Sequence, residues 1–164
     1  MRIRDARPSD LERTVAIYNA SIPGRMATAD LDPVGVEDRR PWFEHRDPAR
    51  RPLWIAEADD GDVAGFLSVN DFYEGRRAYG ATAEVGVYVD PAHQGAGVGG
   101  GLLDHAIAAA PALGLTTLLA FVFGHNAPSV ALFERRGFTR WGLLPEVAEL
   151  DGRAADLTVL GRRL

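Results

Sequence analysis

The spacing of apolar and polar positions changes period several times along this chain. Residues 2–5 alternate and read as a first strand. From Leu11 the period becomes helical: Leu11, Val15, Ile17 and Tyr18 share one face, and the pattern ends near Ala20. Ser9, followed three residues later by Glu12, has the form of a capping box for that helix. A second helical pattern covers residues 34–46, with Trp42 and Phe43 as packing residues; Pro41 inside it predicts a kink or a break. Residues 53–58 and 63–70 flank the turn Asp59-Asp60-Gly61-Asp62 and predict a hairpin. Further along come a strand at 82–89, an Ala/Leu-rich helix at 101–113, an apolar strand at 116–123 and a helix at 127–136. A last hairpin pairs 138–150 with 154–160 through Asp151-Gly152, and Pro145 requires an edge position or a bulge in it.

This order of elements does not alternate strand with helix, so it predicts a mixed α+β fold and not a doubly wound sheet. A length of 164 residues predicts one domain, 1–164, and 46% hydrophobic residues suffice for a core. A formal charge of -5 excludes bulk attraction to nucleic acid. All 18 basic residues are arginines, in scattered pairs such as Arg39-Arg40 and Arg76-Arg77 that read mostly as solvated charge. The absence of cysteine excludes disulfides, thiol nucleophiles and thiolate metal sites. His45, His93, His105 and His125 lack metal-ligand spacing, so no metal is expected. No stretch resembles a signal peptide or approaches a membrane span; a cytoplasmic protein with no membrane partner is expected.

The sharpest chemical signal follows the strand at 82–89. The chain turns at Pro91, passes five glycines between Gly95 and Gly101, and enters a helix. Such a turn lets successive N–H groups point at a phosphate, and the helix N-terminus adds partial positive charge. Gly95, Gly97 and Gly100 match the dinucleotide fingerprint G-x-G-x-x-G, but that fold also wants an acid about 20 residues on, and residues 118–124 have none. A Walker loop needs a lysine that the chain lacks. Gln94-x-x-Gly97-x-Gly99 feeding directly into a helix fits better.

Gln94-Gly95-Ala96-Gly97-Val98-Gly99 resembles the pyrophosphate-binding motif of the GNAT N-acetyltransferases. The segment from Asn126 through Ser129, Leu132 and Phe133 to Gly137-Phe138 resembles their second signature, and the two stand in the right order. Arg76-Arg77-Ala78-Tyr79, Thr82, Glu84 and Val87-Tyr88-Val89 are similar to a segment of the phosphinothricin-type branch. Ile17-Tyr18-Asn19 and Arg39 with Trp42-Phe43 also look like that branch.

The resemblance implies a GNAT (acyl-CoA N-acyltransferase) fold: a twisted, mostly antiparallel sheet of about seven strands flanked by about four helices. In it the strands at 82–89 and 116–123 splay apart to take the pantetheine arm. It implies acetyl-CoA as cosubstrate, contacted by Val87, Tyr88, Val89, Gln94, Gly95, Ala96, Gly97, Val98, Gly99, Gly100, Asn126, Ser129 and Phe133. It implies a small-molecule amine as acceptor, an amino acid or phosphinothricin-like analogue, held by Arg76 or Arg77, Tyr79, Glu84, Tyr88 and Asp156. Glu84 is implied as general base and Tyr88 as its catalytic companion, in a homodimer. Aminoglycoside, polyamine or protein N-terminal acceptors, or a CoA-binding module without turnover, are the alternative readings.

Several residues admit a second reading. On periodicity alone Glu84 is a solvent-facing strand residue. Asn126 either meets pantetheine or caps its helix; Ser129 either meets the CoA arm or is a first-turn residue. Asp156 either contacts the acceptor or serves the last hairpin. His93 and His125 read as loop residues. Phe133 stands where the family often has a Tyr and this branch a His, and it cannot donate a proton. The thiolate is then protonated by water or Tyr88, or leaves charged. Val85-Gly86 and the loop 23–28 also depart from the branch's usual residues.

Overall fold

The computed structural model describes residues 1–164. Seven strands, β1 (Arg2–Asp5), β2 (Leu53–Glu57), β3 (Val63–Asp71), β4 (Thr82–Val89), β5 (Thr117–Phe123), β6 (Thr139–Leu150) and β7 (Arg153–Arg163), form one sheet. Their spatial order is β1-β2-β3-β4-β5-β7-β6. Only β4 and β5 run parallel; every other neighbouring pair is antiparallel. The helices are α1 (Leu11–Ser21), α2 (Val36–Glu44), α3 (Val98–Ala109) and α4 (Ala127–Glu134). The α+β class and the element order follow the sequence expectation.

Strand alternation sends the two sets of apolar side chains to opposite faces. On one face Leu102 and Leu103 of α3 and Val130 and Phe133 of α4 pack over Leu67, Val85, Leu118 and Leu160. On the other, Leu11, Val15 and Ile17 of α1 and Phe43 of α2 pack over Leu53, Ile55 and Phe66. That second layer stops at β4. Beyond it the same face holds only a small cluster, Phe123, Leu150 and Ala155.

Three local expectations change, and a fourth, at Pro145, is borne out. The capping box does not form: Ser9 lies in a short 3-10 turn, Pro8–Asp10, and α1 carries no side-chain cap. Asp10 serves instead, accepting the Arg7 N–H at 2.7 Å and the Arg4 guanidinium at 2.7 and 3.0 Å, because a buried arginine needs a carboxylate. The helix α2 runs through Pro41 without breaking; the ring removes one N–H, and His45 N–H still reaches the Pro41 carbonyl at 3.0 Å. The helix α3 begins at Val98, three residues sooner than its Ala/Leu pattern. At Pro145 both options hold at once: β6 is an edge strand, and its register breaks between Leu144 and Ala148. Glu146 takes φ +52° in that bulge, and its N–H is held by Asp156 Oδ1 at 2.8 Å.

Candidate active site

The pairing of β4 with β5 lasts three residues, Thr82–Glu84 against Thr117–Leu119. Past Glu84 each strand stays with its other neighbour, β4 with β3 as far as Val89 and β5 with β7 as far as Phe123. The strands therefore part. The cleft between them is lined on the β4 side by the backbone of Val87, Tyr88 and Val89, which has no strand partner there.

The glycine loop closes the end of this cleft. Gly95 and Gly97 have φ of 78° and 82°, the left-handed region that glycine enters without strain, and open space surrounds both. Gly101 N–H is the first in α3 to close a helical bond, onto the Gly97 carbonyl at 2.9 Å. The N–H groups of Val98, Gly99 and Gly100 are thus the free donors of a helix N-terminus, and those of Gly95 and Gly97 also lack a protein acceptor. Five free N–H groups and a helix dipole fit a pyrophosphate. The side chains of Gln94 and Ala96 are exposed beside it.

Gly100 is a packing glycine as well. A Cβ there would run into the Arg136 guanidinium, whereas one on Gly99 would make ordinary contact with Leu132 and Val89 and one on Gly101 would meet only the flexible end of the Met1 side chain. Arg136 fills the space over Gly100 because it donates to the Gly100 carbonyl at 3.1 Å and to Asp104 at 2.8 Å, joining α4 to α3. The loop is fixed at its start by Asp90, which accepts the Ala92 N–H at 2.7 Å and pairs with Arg13 at 2.6 Å.

Across the cleft, Asn126 is buried and caps α4, accepting the Ser129 N–H at 3.1 Å; its Nδ2 donates to the Met26 carbonyl at 2.8 Å. Both ends of its amide are engaged within the protein. Phe133 is 3% exposed and packs edge-on to Phe138 with ring centres 5.1 Å apart, so its ring lies in the core beneath α4.

A cavity of about 160 Å³ opens on the α1–α2 side of the sheet. Tyr18, Arg39, Trp42, Ser68, Asn70 and Tyr88 shape it. The register pairs Asn70 with Glu84 and Phe66 with Tyr88, so Glu84, Gly86 and Tyr88 share the cavity's face of β4. Glu84 is half-buried, and burial alone pushes its carboxyl above the usual range, with no cation or donor opposing it. The Tyr88 ring stacks on Phe66 at 5.1 Å and leans on Tyr18 at 5.0 Å. Burial first, then nearby charge, pushes the Tyr88 hydroxyl up, so it stays a phenol at neutral pH. Tyr18 donates to Asp30 Oδ2 at 2.5 Å and lies 2.6 Å from Thr28 Oγ1; burial and then Asp30 raise its hydroxyl too. Arg39 reaches Asp30 at 3.1 Å, its guanidinium 4.4 Å above the Tyr18 ring.

The other expected acceptor residues lie elsewhere. Arg76 and Arg77 are exposed; Arg76 lies 3.8 Å from Glu74 and 4.9 Å above the Tyr73 ring, and the cation of the cavity is Arg39 instead. Tyr79 is exposed and packs on Phe72 at 5.4 Å, which in turn stacks on Phe121 at 6.5 Å. It belongs to an aromatic rim and does not line the cavity. Asp156 holds the β6 bulge through Oδ1, which accepts the Glu146 N–H, and does not line the cavity.

Residues 15–138 match the profile of the Acetyltransferase (GNAT) family. The chain belongs to that family. It is 52% identical, over 100% of its own length and 99% of the relative's, to YwnH of Bacillus subtilis (strain 168), described as a candidate phosphinothricin acetyltransferase. It is 36% identical to the L-methionine sulfoximine/L-methionine sulfone acetyltransferase of Pseudomonas aeruginosa PAO1, over 96% of this chain and 91% of that one. Among solved structures, a candidate acetyltransferase from Salmonella typhimurium with its cofactor acetyl-CoA superposes with a TM-score of 0.93 at 33% identity, covering 100% of this chain and 94% of the other. This GNAT chain is an acetyl-CoA-dependent N-acetyltransferase.

Ser68 and Asn70 escaped the sequence reading. Both sit at alternate positions of an otherwise apolar strand, and that pattern, polar residues spaced by two on a buried run, was the available signal.

Proposed function

We propose that this GNAT enzyme acetylates the α-amine of a small amino acid or amino-acid analogue, with Glu84 as general base. The observation that carries the reading is that the cleft and the cavity adjoin along β4, where Tyr88 lines the cavity and lies in the part of the strand that has left β5. The β4–β5 cleft begins at Glu84, and the cavity that contains Arg39 lies on the same face of β4. The names of the relatives, for phosphinothricin and for methionine sulfoximine and sulfone, describe acceptors with an amine, a carboxylate and a second polar group.

Acetyl-CoA supplies an activated thioester, and the residues of the chain do the rest. Five N–H groups from Gly95 to Gly100 seat the pyrophosphate. Unpaired N–H groups of β4 near Tyr88 and Val89 polarise the carbonyl oxygen. Arg39 pairs with the acceptor's anionic group through parallel donors, and Ser68 and Asn70 orient the amine end. Glu84 takes a proton from the ammonium, for which a raised carboxyl is the better base. Tyr88, kept protonated, is the nearby donor, a role that Phe133 cannot fill. A cation in the cavity argues against polyamine and aminoglycoside acceptors.

The same reading treats residues 1–164 as one catalytic domain acting in the cytoplasm as a homodimer. For the homodimer the supporting observation is that the edge strand β6 exposes Trp141, Leu143, Leu144 and Val147; separately, no helix is long and apolar enough to cross a membrane.

A thiol-release assay with acetyl-CoA across amino acids, phosphinothricin analogues, polyamines and peptides tests it. Turnover is expected with amino-acid amines. Glu84→Gln should lower kcat by about 10²–10⁴-fold while acetyl-CoA still binds. Turnover with polyamines alone, or an unimpaired Glu84→Gln enzyme, would overturn the assignment.

A further inference from the structure

A second cavity, of about 270 Å³, adjoins the acceptor cavity, and Trp42 and Asn70 are walls of both. Arg46, just past the end of α2, lines the second one. No carboxylate pairs with it: Asp71, the acid that acts on it, is bound to Arg51 at 2.7 Å. Burial pulls the guanidinium down to about 10, so it remains a cation at neutral pH. An unpaired, largely buried cation is costly, and its bonds show what it does instead of pairing. Nη2 donates to the Pro52 carbonyl at 3.1 Å and to the Val69 carbonyl, and Nη1 donates to Asn70 Oδ1 at 3.1 Å. The guanidinium also lies 4.8 Å from the centre of the Trp42 ring.

The bond to Asn70 decides which way that amide faces. A guanidinium offers only donors, so only the oxygen of Asn70 can turn to it. The nitrogen is left for Ser68, and Nδ2 donates to Ser68 Oγ at 3.1 Å. A hydroxyl that has accepted this bond keeps its own proton to give. Ser68 lines the acceptor cavity and faces Gly86 across the sheet, where a Cβ would stand 3.3 Å from Oγ. Glycine at position 86 leaves that side of the hydroxyl open. Glu84 shares the same face of β4 and is paired with Asn70.

We propose that Arg46 is a positioning residue for the acceptor: through Asn70 it fixes Ser68 as a hydrogen-bond donor to an oxygen beside the reacting amine, the α-carboxylate of an amino acid. The donors run one way, from Arg46 to Asn70 to Ser68 to the acceptor. An amide free to turn would offer Ser68 its oxygen, take the hydroxyl proton and leave only lone pairs facing a carboxylate. Arg39 supplies the charge of the pocket, and Ser68 supplies a direction. The proposal deepens the reading of the cavity as the acceptor pocket and rests on it.

Arg46→Lys keeps the charge, but one ammonium cannot hold Pro52, Val69 and Asn70 together as a planar fork does. In this variant the KM of an amino-acid acceptor should rise by about tenfold with a smaller change in kcat, while the Kd for acetyl-CoA by calorimetry stays within about twofold. An amine with the same side chain but no carboxylate should lose about twofold or less. Ser68→Ala should give the same pattern, and in that background Arg46→Lys should add about twofold or less, because the hydroxyl through which Arg46 acts is gone. Arg46→Gln serves if the lysine variant folds poorly. Effects of Arg46→Lys and Ser68→Ala that multiply, a loss equal for both acceptors, or an unchanged KM would each make Arg46 a support of the fold alone and overturn the proposal. A readout without acceptor is the exchange of the Asn70 side-chain amide protons by NMR, which should quicken by about tenfold in Arg46→Lys; unchanged exchange would also overturn it. If the wild-type enzyme turns over no amino-acid amine, the acceptor assignment fails, while the Asn70 exchange still decides whether Arg46 sets the direction of the Ser68 hydroxyl.

Discussion

Glu84 sits where β4 leaves β5, half-buried and with no donor facing it, so the folded state favours its neutral form. Its folded pKa lies above its unfolded value. The stability linked to its protonation is then fully present below about pH 4.3, the ordinary glutamate value, and is lost as pH rises through the folded value. At neutral pH the carboxylate works against the fold. Glu84→Gln should therefore melt at or above the wild-type temperature at pH 7.5, with the gap closing below about pH 4; calorimetry showing a clearly lower Tm at pH 7.5 would sink the desolvation argument. The same shift places the acid limb of the kcat/KM profile above the usual glutamate range, because only the ionised carboxylate can accept a proton. Resemblance located this residue where alternation read it as solvent-facing, because its burial depends on strands whose parting no local pattern records. Arg39 shows the same limit from the other side. The arginines beside Tyr79 look closer to Glu84 in sequence, yet the cavity takes its cation from α2, because packing of α2 onto β3 brings Arg39 there.

Elements are joined by polar contacts that the sequence hides. Arg4 of β1 and Asp10 before α1 have side chains only 9% and 6% exposed, and Arg4 also meets Glu57 of β2 at 2.6 Å. Burial alone would push the Asp10 carboxyl up; the Arg4 guanidinium and the Arg7 N–H overcome that and hold it below the usual range. Removing the cation leaves a buried charge unpaired, which costs about 3 kcal/mol. Arg4→Met should lose that much in urea unfolding at pH 7, and Arg4→Met with Asp10→Asn should recover most of it, since the amide still accepts the Arg7 N–H without a charge. The loss should shrink as pH falls through the Asp10 value, where the ion pair no longer contributes. Equal destabilisation in the single and double variants would show that packing, and not charge, joins these elements. The Ser9 capping box was a sound local reading that lost to this long-range demand. The glycine run was half legible in the same way: Gly95 and Gly97 are the free turn that the pattern announces, whereas Gly100 lacks a side chain because Arg136, 36 positions on, occupies its place.

At the scale of the whole molecule the two layers are unequal. The face carrying α3 and α4 is covered from β2 to β7, but α1 and α2 cover the opposite face only as far as β4. The remaining half, where β5, β7 and β6 present Phe121, Leu157 and Leu144, lies under no helix, and Val147 stands exposed on the edge strand beyond. Monomers rarely leave apolar patches of this kind uncovered, and an unpaired edge strand invites a neighbour. A second copy, as proposed above, would meet both needs with one two-fold contact. The bulge at Pro145–Glu146, pinned by Asp156, then shapes the strand that would be shared and is more than a defect of pairing. Light scattering at micromolar concentration should give twice the chain mass of 17.7 kDa. Leu144→Asp with Val147→Asp should halve that value while leaving acetyl-CoA binding intact, because neither residue touches the glycine loop or the β4–β5 cleft. A wild-type mass of one chain would remove the dimer, and with it the reason this half-sheet stays apolar in water.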